Sequence, residues 1–301
     1  MSKAISYSLF GYGKEKHPNG FTFDTYLVGL MLSIRLNRLV FPDWENVLET
    51  DNSTYTAFEP LFKYLADRNI LQIEQNPDGA KLCEAMLWRL KPAFWVDKFG
   101  KWEFSHVLCR DLDSLHTYRE AQAVQVWINN DKAMHAITDS VSHDVYLLGG
   151  MIGIRPDHFT SKTNIQSFSG LMSLCNIDLS AKGSDQTFLN SVIYPMVGEK
   201  GHDSITQHYF KGRGPTWLSD FHSCNCWLYE STPRAHRDDC PENTPIPLDD
   251  DLKETNDIAW HMGQSGWNQP HTLRIIEKHR DKFADLEAIE KEYKQIFYWI
   301  K

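Results

Sequence analysis

Two rhythms of apolar and polar positions alternate along the first third of the chain. From Lys3 to Phe10 (KAISYSLF), Ser alternates with apolar and aromatic residues, the period of a buried first β-strand. After a loop rich in Gly, the residues Phe23, Tyr26, Leu27, Leu30, Met31 and Ile34 fall on one face of a helix. Pro42 breaks the chain and Asn46–Thr50 (NVLET) returns as a second strand. Phe58, Leu61, Phe62 and Leu65 repeat the helical spacing behind a capping cluster at Asn52-Ser53-Thr54. Ile70–Glu74 (ILQIE) reads as a third strand. Cys83, Met86, Leu87 and Leu90 mark a helix that Pro92 ends, and Phe104–Cys109 (FSHVLC) is a fourth strand. Strand and helix in alternation predict an α/β chain with right-handed crossovers and a mainly parallel sheet flanked by helices. Such a sheet binds its ligand at the carboxyl ends of the strands, where the strand order reverses.

Past the middle the pattern changes. From about Trp217 to Asp257 the chain carries four Pro, an acidic run at Asp249–Asp251, and Cys224, Cys226 and Cys240. This reads as an irregular excursion of the same domain. Helical spacing returns at the end, with Phe283, Leu286, Ile289, Tyr293 and Ile296 on one face, a helix expected to dock on the sheet. The net charge of −9 argues against nucleic acid or an anionic membrane as the main partner. No apolar run approaches the ~18–20 residues of a membrane span, and the amino end lacks the pattern of a signal peptide. Six unevenly spaced Cys do not make a disulfide framework. A cytoplasmic protein is expected. His222, Cys224, Cys226, His236 and Cys240 have the residue types of a zinc knuckle but match no common zinc spacing, so ordinary loop residues are the favoured reading.

The strand FSHVLC runs into Arg110-Asp111-Leu112-Asp113-Ser114. Two carboxylates two residues apart at a strand end can face one point, and hard cations such as Mg²⁺ and Mn²⁺ take one or two carboxylates with water and phosphate completing the shell. The second acidic run, Asp249–Asp251, has no strand before it and reads as a solvated charge cluster.

Arg110, Asp111 and Asp113, then Arg119 and Glu120, then His135 and Asp139, then Gly149, Gly150 and Met151 occur in a block that resembles the centre of GT-A-fold glycosyltransferases. The likeness is nearest to the glycosyltransferase-like proteins of large DNA viruses and bacteria, which are related to glycosyltransferase family 8. KAISYSLFGY, the FPDW at 41–44 and MLWRLKPAF at 86–94 match the amino-terminal half of that family. The resemblance implies a single GT-A-like, Rossmann-like domain over residues 1–301. About 1–115 would form the nucleotide-binding half, about 116–270 the metal and acceptor half, and 271–301 the C-terminal helices. It implies transfer of a sugar from a nucleoside-diphosphate sugar (UDP- or GDP-linked) to a hydroxyl of a glycan acceptor, with Mn²⁺ or Mg²⁺. A catalytically inactive sugar-nucleotide or glycan-binding module on the same fold is the alternative.

Several residues take roles from that resemblance, each beside a plainer one. Asp113 is the expected direct metal ligand, with Asp111 at the ion or the ribose. Arg110 contacts donor phosphate or, the favoured reading, forms a salt bridge holding the Asp pair. Arg89 reaches the donor or covers the core with its stem. Gly149 and Gly150 permit a close backbone approach to the donor or mark a bulge or tight strand crossing. Asp139 contacts sugar hydroxyls or caps a turn. Asp185, in Gly183-Ser184-Asp185-Gln186, resembles the Asp-Gln element of family 8: a base or sugar contact, or, like Ser184, a helix cap. His261, before Gly263 and Gly266, is a third metal ligand or a surface residue.

Overall fold

The alternation of Ser with apolar residues at the amino end becomes a strand that is buried on both faces. A computed structural model describes residues 1–13, 22–130, 132–138, 145–197, 205–209 and 270–297. β1 (Ser2–Leu9) sends Ile5, Tyr7 and Leu9 into one apolar cluster and Ala4 into another, as a period of two requires. It belongs to a seven-stranded sheet with β2 (Trp44–Asp51), β3 (Gln72–Asn76), β4 (Phe104–Arg110), β5 (Met134–Thr138), β6 (Met151–Ile154) and β7 (Ile205–Tyr209). The strand order is β3-β2-β1-β4-β6-β5-β7. β1 runs parallel to β2 and β4, β2 to β3, and β5 to β7, while β6 is antiparallel to β4 and β5. The chain is α/β, with a mixed, mostly parallel sheet between helices.

Two features of this topology position the site. The chain leaves β1 toward β2 and β3 on one side, then returns to pair β4 on the other, so the strand order reverses between β1 and β4. Because β6 is antiparallel, its first residue, Met151, pairs with the last of β4, Arg110. The turn before β6 therefore lies beside the loop after β4.

Helices cover both faces. α1 (Phe23–Val40), α2 (Asn52–Ala57), α3 (Glu59–Asp67) and α4 (Leu82–Leu87) precede β4. α5 (Tyr118–Asn129), α6 (Pro156–Thr163), α7 (Phe168–Ser173), α8 (Ser184–Phe188) and α9 (Tyr194–Val197) follow it, and α10 (Pro270–Lys278) and α11 (Ala284–Glu290) lie near the end. Leu27, Ile34, Phe62, Trp127, Leu286 and Ile289 pack with Ile5 and Leu108 on one face of the sheet. Leu87, Phe94, Phe159, Phe188 and Val197 pack with Val47, Val107 and Ile152 on the other. No helix among the described residues is long and apolar enough to cross a membrane.

The elements differ from their predicted bounds where turn chemistry intervenes. The helix predicted at Phe58–Leu65 is α3, which starts afresh behind Phe58 with Pro60 in its first turn, while the expected cap cluster Asn52-Ser53-Thr54 is the first turn of a separate helix, α2, capped by Asp51. β3 begins two residues later than ILQIE. Pro92 does not end its helix outright: α4 stops at Leu87 and the chain tightens into a 3₁₀ helix, Trp88–Phe94, that contains Pro92. A proline in the interior of an α-helix clashes with the i−4 carbonyl, and the tighter turn takes Pro92 out of that position. The final apolar face is not one helix but α11 between two 3₁₀ turns, Arg280–Phe283 and Lys291–Tyr293. It packs on the sheet face that holds Ile5 and Leu108, and it is tied to α1 and α3. Arg35 and Glu290 pair with both side chains fully buried, and the Tyr64 hydroxyl donates to the Asp285 carbonyl at 2.7 Å.

Candidate active site

A cleft of about 210 Å³ opens at the carboxyl ends of β1 and β4, where the strand order reverses. Five separate segments build it, one of them α1 through Tyr26. Ser8, Leu9 and Phe10 come from the end of β1, and Leu82, Met86 and Arg89 from α4 and the 3₁₀ helix. Asp111, Leu112 and Asp113 come from the loop after β4, and Lys182, Gly183, Asp185 and Gln186 from the start of α8. The lining carries three carboxylates, Asp111, Asp113 and Asp185, and two cations, Arg89 and Lys182.

The acidic loop presents its carboxylates selectively. Asp111 and Asp113 are half-buried and border the cleft, whereas Leu112 between them is 2% exposed and packs in the core. Burial, and then repulsion from Asp111, push the Asp113 carboxyl up to about 6. The charge of Asp111 adds to the cost of ionising Asp113, so the site is short of positive charge.

Arg89 answers part of that shortage. Its guanidinium is buried; Nη1 bonds the Asp111 carboxylate and Nη2 lies 3.7 Å from Asp185 Oδ2. Burial works against its charge, but Asp111 and Asp185 more than offset that, so its pKa lies above the ordinary value. Arg89 reaches the cleft; it is not a surface cover for the core.

Asp185 is 1% exposed, lines the cleft, and neither of its oxygens accepts a hydrogen bond. The capping reading of Asp185 and Ser184 is not what the structure shows. Gly183, at φ 83°, is the cap residue of α8, and the Ser184 hydroxyl donates to the Ala181 carbonyl at 2.7 Å. With a glycine supplying the left-handed conformation at the cap, Asp185 falls one residue inside the helix and its side chain is released to the cleft.

Gly149 and Gly150 form the turn just before β6, and they are neither a bulge nor a strand crossing. A Cβ on Gly150 would stand 1.9 Å from Asp111 Oδ2, and one on Gly149 would stand 2.6 Å from Arg89 Nη2 and 3.3 Å from Asp185 Oδ2. Their lack of side chains makes room for Arg89, Asp111 and Asp185.

Arg110 departs from both of its readings. Its side chain is 1% exposed, points away from the cleft, and pairs with Glu120 at 3.3 Å rather than with the Asp pair. It also donates to the Gly150 carbonyl at 3.0 Å, the Ser114 hydroxyl at 3.1 Å and the Met151 sulfur at 2.5 Å. The strand alternation that turns Asp111 outward turns Arg110 inward.

Asp139, His261, the Asp249–Asp251 run and the His222/Cys224/Cys226/His236/Cys240 set lie outside the described residues. Lys182, the second cation of the cleft, was not singled out in the sequence. Its only local signal is its place before Gly183, and its role depends on α8 packing near β4. No protein-family model matches the chain, and no curated protein matches it.

Among the described residues no cluster of three or more His, Cys, Asp or Glu is placed to hold a metal ion. The pair Asp111 and Asp113 nevertheless fits a hard divalent cation, which takes one or two protein carboxylates and completes its shell with water and substrate phosphate. Burial first and the Asp111 charge second raise the Asp113 pKa, and such an ion would offset both.

Proposed function

We propose that the protein is a metal-dependent glycosyltransferase of GT-A-like fold, moving a sugar from a nucleoside-diphosphate sugar to a hydroxyl of a glycan acceptor. One observation carries the reading. A buried aspartate without a hydrogen-bond partner, Asp185, shares a cleft with the acidic pair Asp111 and Asp113 at the switch point of an α/β sheet. A buried carboxylate whose oxygens accept no hydrogen bond is costly even beside an arginine unless a ligand supplies donors, and sugar hydroxyls are such donors. Switch-point crevices of α/β sheets are where nucleotides bind.

Each residue then has work that suits its place. Asp111 and Asp113 would hold Mn²⁺ or Mg²⁺, which supplies Lewis-acid neutralisation of a departing diphosphate. Asp185 accepts hydrogen bonds from sugar hydroxyls, or takes the proton of the acceptor hydroxyl as general base. Arg89 holds Asp111 and Asp185 to one geometry. Leu9, Phe10, Leu82 and Met86 keep bulk water from the reacting groups. The described cysteines, Cys83, Cys109 and Cys175, are free thiols, in keeping with a cytoplasmic setting.

Calorimetry of UDP and GDP with Mn²⁺ and with chelator tests the reading. Affinity should be higher with metal, and Asp113→Asn should abolish the difference while leaving the protein folded. Equal affinity with and without metal removes the metal role of the acidic pair. A ligand at a hundredfold excess over its Kd adds about 2.7 kcal/mol of stability, so a thermal screen of sugar nucleotides identifies the donor. The alternative, an inactive binding module, is favoured by one observation: Arg89 already occupies one Asp111 oxygen. Donor binding without sugar transfer or donor hydrolysis would select it.

A further inference from the structure

Seven residues join β4 to α5, and only Asp111 and Asp113 among them are not buried; Leu112, Ser114, Leu115, His116 and Thr117 are. A loop this deep must find partners for its polar groups inside the protein. It finds them along one chain of hydrogen bonds. Tyr7 Oη lies 2.9 Å from His116 Nε2, and His116 Nδ1 lies 3.1 Å from Glu120 Oε2. Glu120 pairs with Arg110, whose other bonds reach Ser114 in the acidic loop and the Gly150 carbonyl in the turn that makes room for Asp111. At the far end the Asn37 amide donates to Tyr7 Oη at 2.8 Å and also bonds Asn46, whose amide donates to the Ile70 carbonyl at 3.2 Å. Tyr7, Asn37, Arg110, His116 and Glu120 are each at most 2% exposed.

The donors and acceptors admit one arrangement of protons. Asn37 donates to the Tyr7 oxygen, so the Tyr7 hydrogen is directed to His116 Nε2. That nitrogen then accepts, the His116 proton sits on Nδ1, and it is donated to the Glu120 carboxylate. Burial holds the His116 pKa below its ordinary value and so keeps the ring neutral. On the opposite side of the loop, Gly29 of α1 lies under Leu112: a Cβ there would stand 1.7 Å from the Leu112 carbonyl oxygen. The loop is clamped between a helix, a glycine turn and a polarised hydrogen-bond chain.

We propose that Tyr7, His116 and Glu120 are positioning residues that act through Arg110 to fix the acidic loop, and so set the affinity of Asp111 and Asp113 for a divalent cation. The cation part rests on the function proposed above. The test compares wild type, Tyr7→Phe, Glu120→Gln and a remote core truncation, Ile289→Ala. It uses three readouts: ¹⁵N NMR of His116, amide exchange at Ser114, and Mn²⁺ binding by EPR. Wild type should show His116 protonated on Nδ1. Tyr7→Phe, which removes one hydroxyl and preserves shape, should leave Nε2 without a donor while Glu120 still holds the Nδ1 proton, and should speed Ser114 exchange about tenfold. It should also weaken Mn²⁺ about tenfold, the low end for losing an outer partner of a metal ligand. Glu120→Gln should do the same more strongly. Ile289→Ala should lower the unfolding midpoint and leave Mn²⁺ affinity unchanged. Unchanged exchange and Mn²⁺ affinity in Tyr7→Phe, or a loss that Ile289→Ala reproduces, overturns the proposal. Absence of Mn²⁺ binding in wild type removes the metal reading alone, and the exchange and tautomer results then decide whether the chain holds the loop.

Discussion

Gly150 and Gly29 decide how closely the acidic loop approaches its neighbours, and their substitution separates folding from binding. At Gly150 the added Cβ would meet the end of the Asp111 side chain; at Gly29 it would meet the backbone oxygen of Leu112. A carboxylate can swing aside, whereas a backbone carbonyl under a helix cannot move without moving the loop. Gly150→Ala is therefore expected to keep a thermal midpoint within a few degrees of wild type and to lose most Mn²⁺-dependent nucleotide affinity. Gly29→Ala is expected to cost about 1–3 kcal/mol of stability, the usual range for overpacking a core. Thermal unfolding and calorimetry on both variants check this; a Gly150→Ala protein that binds normally would remove the turn from the site. At this scale the sequence was informative about chemistry and silent about contact. Asp111 and Asp113 stood out because a strand ran into them, and Asp185 through its neighbours Ser184 and Gln186. Gly29, Tyr7 and His116 carry no local signal. Tyr7 and His116 are 109 residues apart in sequence and meet only in the fold.

Elements were legible where apolar spacing alone sets them and blurred where a single residue overrides it. β1, α1, β2 and β4 fall where the pattern put them, while Pro60 and Pro92 reshaped the helices around them. The docking of α11 was hidden for another reason: it depends on a charged residue within the buried face of α1. Arg35 and Glu290 are both fully buried, with Nη1 and Nη2 each on one carboxylate oxygen, and the guanidinium lies over the Phe283 ring at 5.5 Å. Nearby, Arg38 and Asp285 pair at 2.7 Å at the surface. The two pairs join the same elements and should differ sharply in worth. Removing one partner of a buried pair strands a charge and costs about 3–5 kcal/mol, whereas an exposed pair contributes about 0–1 kcal/mol. Urea unfolding should show Glu290→Gln losing several kcal/mol and Asp285→Asn nearly none. The double variant Arg35→Met with Glu290→Leu should recover most of the loss, because apolar groups of similar volume fill the space without a stranded charge. A double variant no better than the single one would mean that the pair itself, rather than the stranded charge, supplies the stability.

For the whole molecule, the strand order was the part least legible, because pairing between distant strands leaves no trace in local spacing. The parallel β1–β2–β3 and β1–β4 pairings follow from alternating strands and helices, but nothing near Met151 announces that β6 runs antiparallel. The same non-local packing buries titratable groups whose proton affinities then couple folding to pH. Glu49 on β2 is almost fully buried: Asn76 donates to one oxygen at 2.8 Å, Lys91 stands 3.5 Å away, and the other oxygen has no partner. Burial pushes its pKa up to about 7 from 4.5. Between these values the folded protein holds a proton that the unfolded chain releases, so Glu49 makes stability fall as pH rises, and the loss is complete above about 7. His106 on β4, edge-on to the Trp127 ring at 4.8 Å, is shifted the other way, to about 4 from 6.5, first by burial and then by Arg155. It makes stability fall as pH drops from about 6.5 to 4. From about 4.5 to 6.5 the two groups oppose each other, and single variants should uncover each in turn. Glu49→Gln should gain stability over wild type as pH rises, from near zero at pH 4.5 to about 3 kcal/mol above pH 7, at 1.36 kcal/mol per unit. His106→Phe should gain instead toward acid, with its advantage growing from pH 6.5 down to 4. Urea unfolding of the three proteins across pH 4–8 measures both slopes. A Glu49→Gln advantage that does not change with pH would mean that Lys91 and Asn76 keep Glu49 ionised throughout, and would return the buried carboxylate to an ordinary structural ion pair.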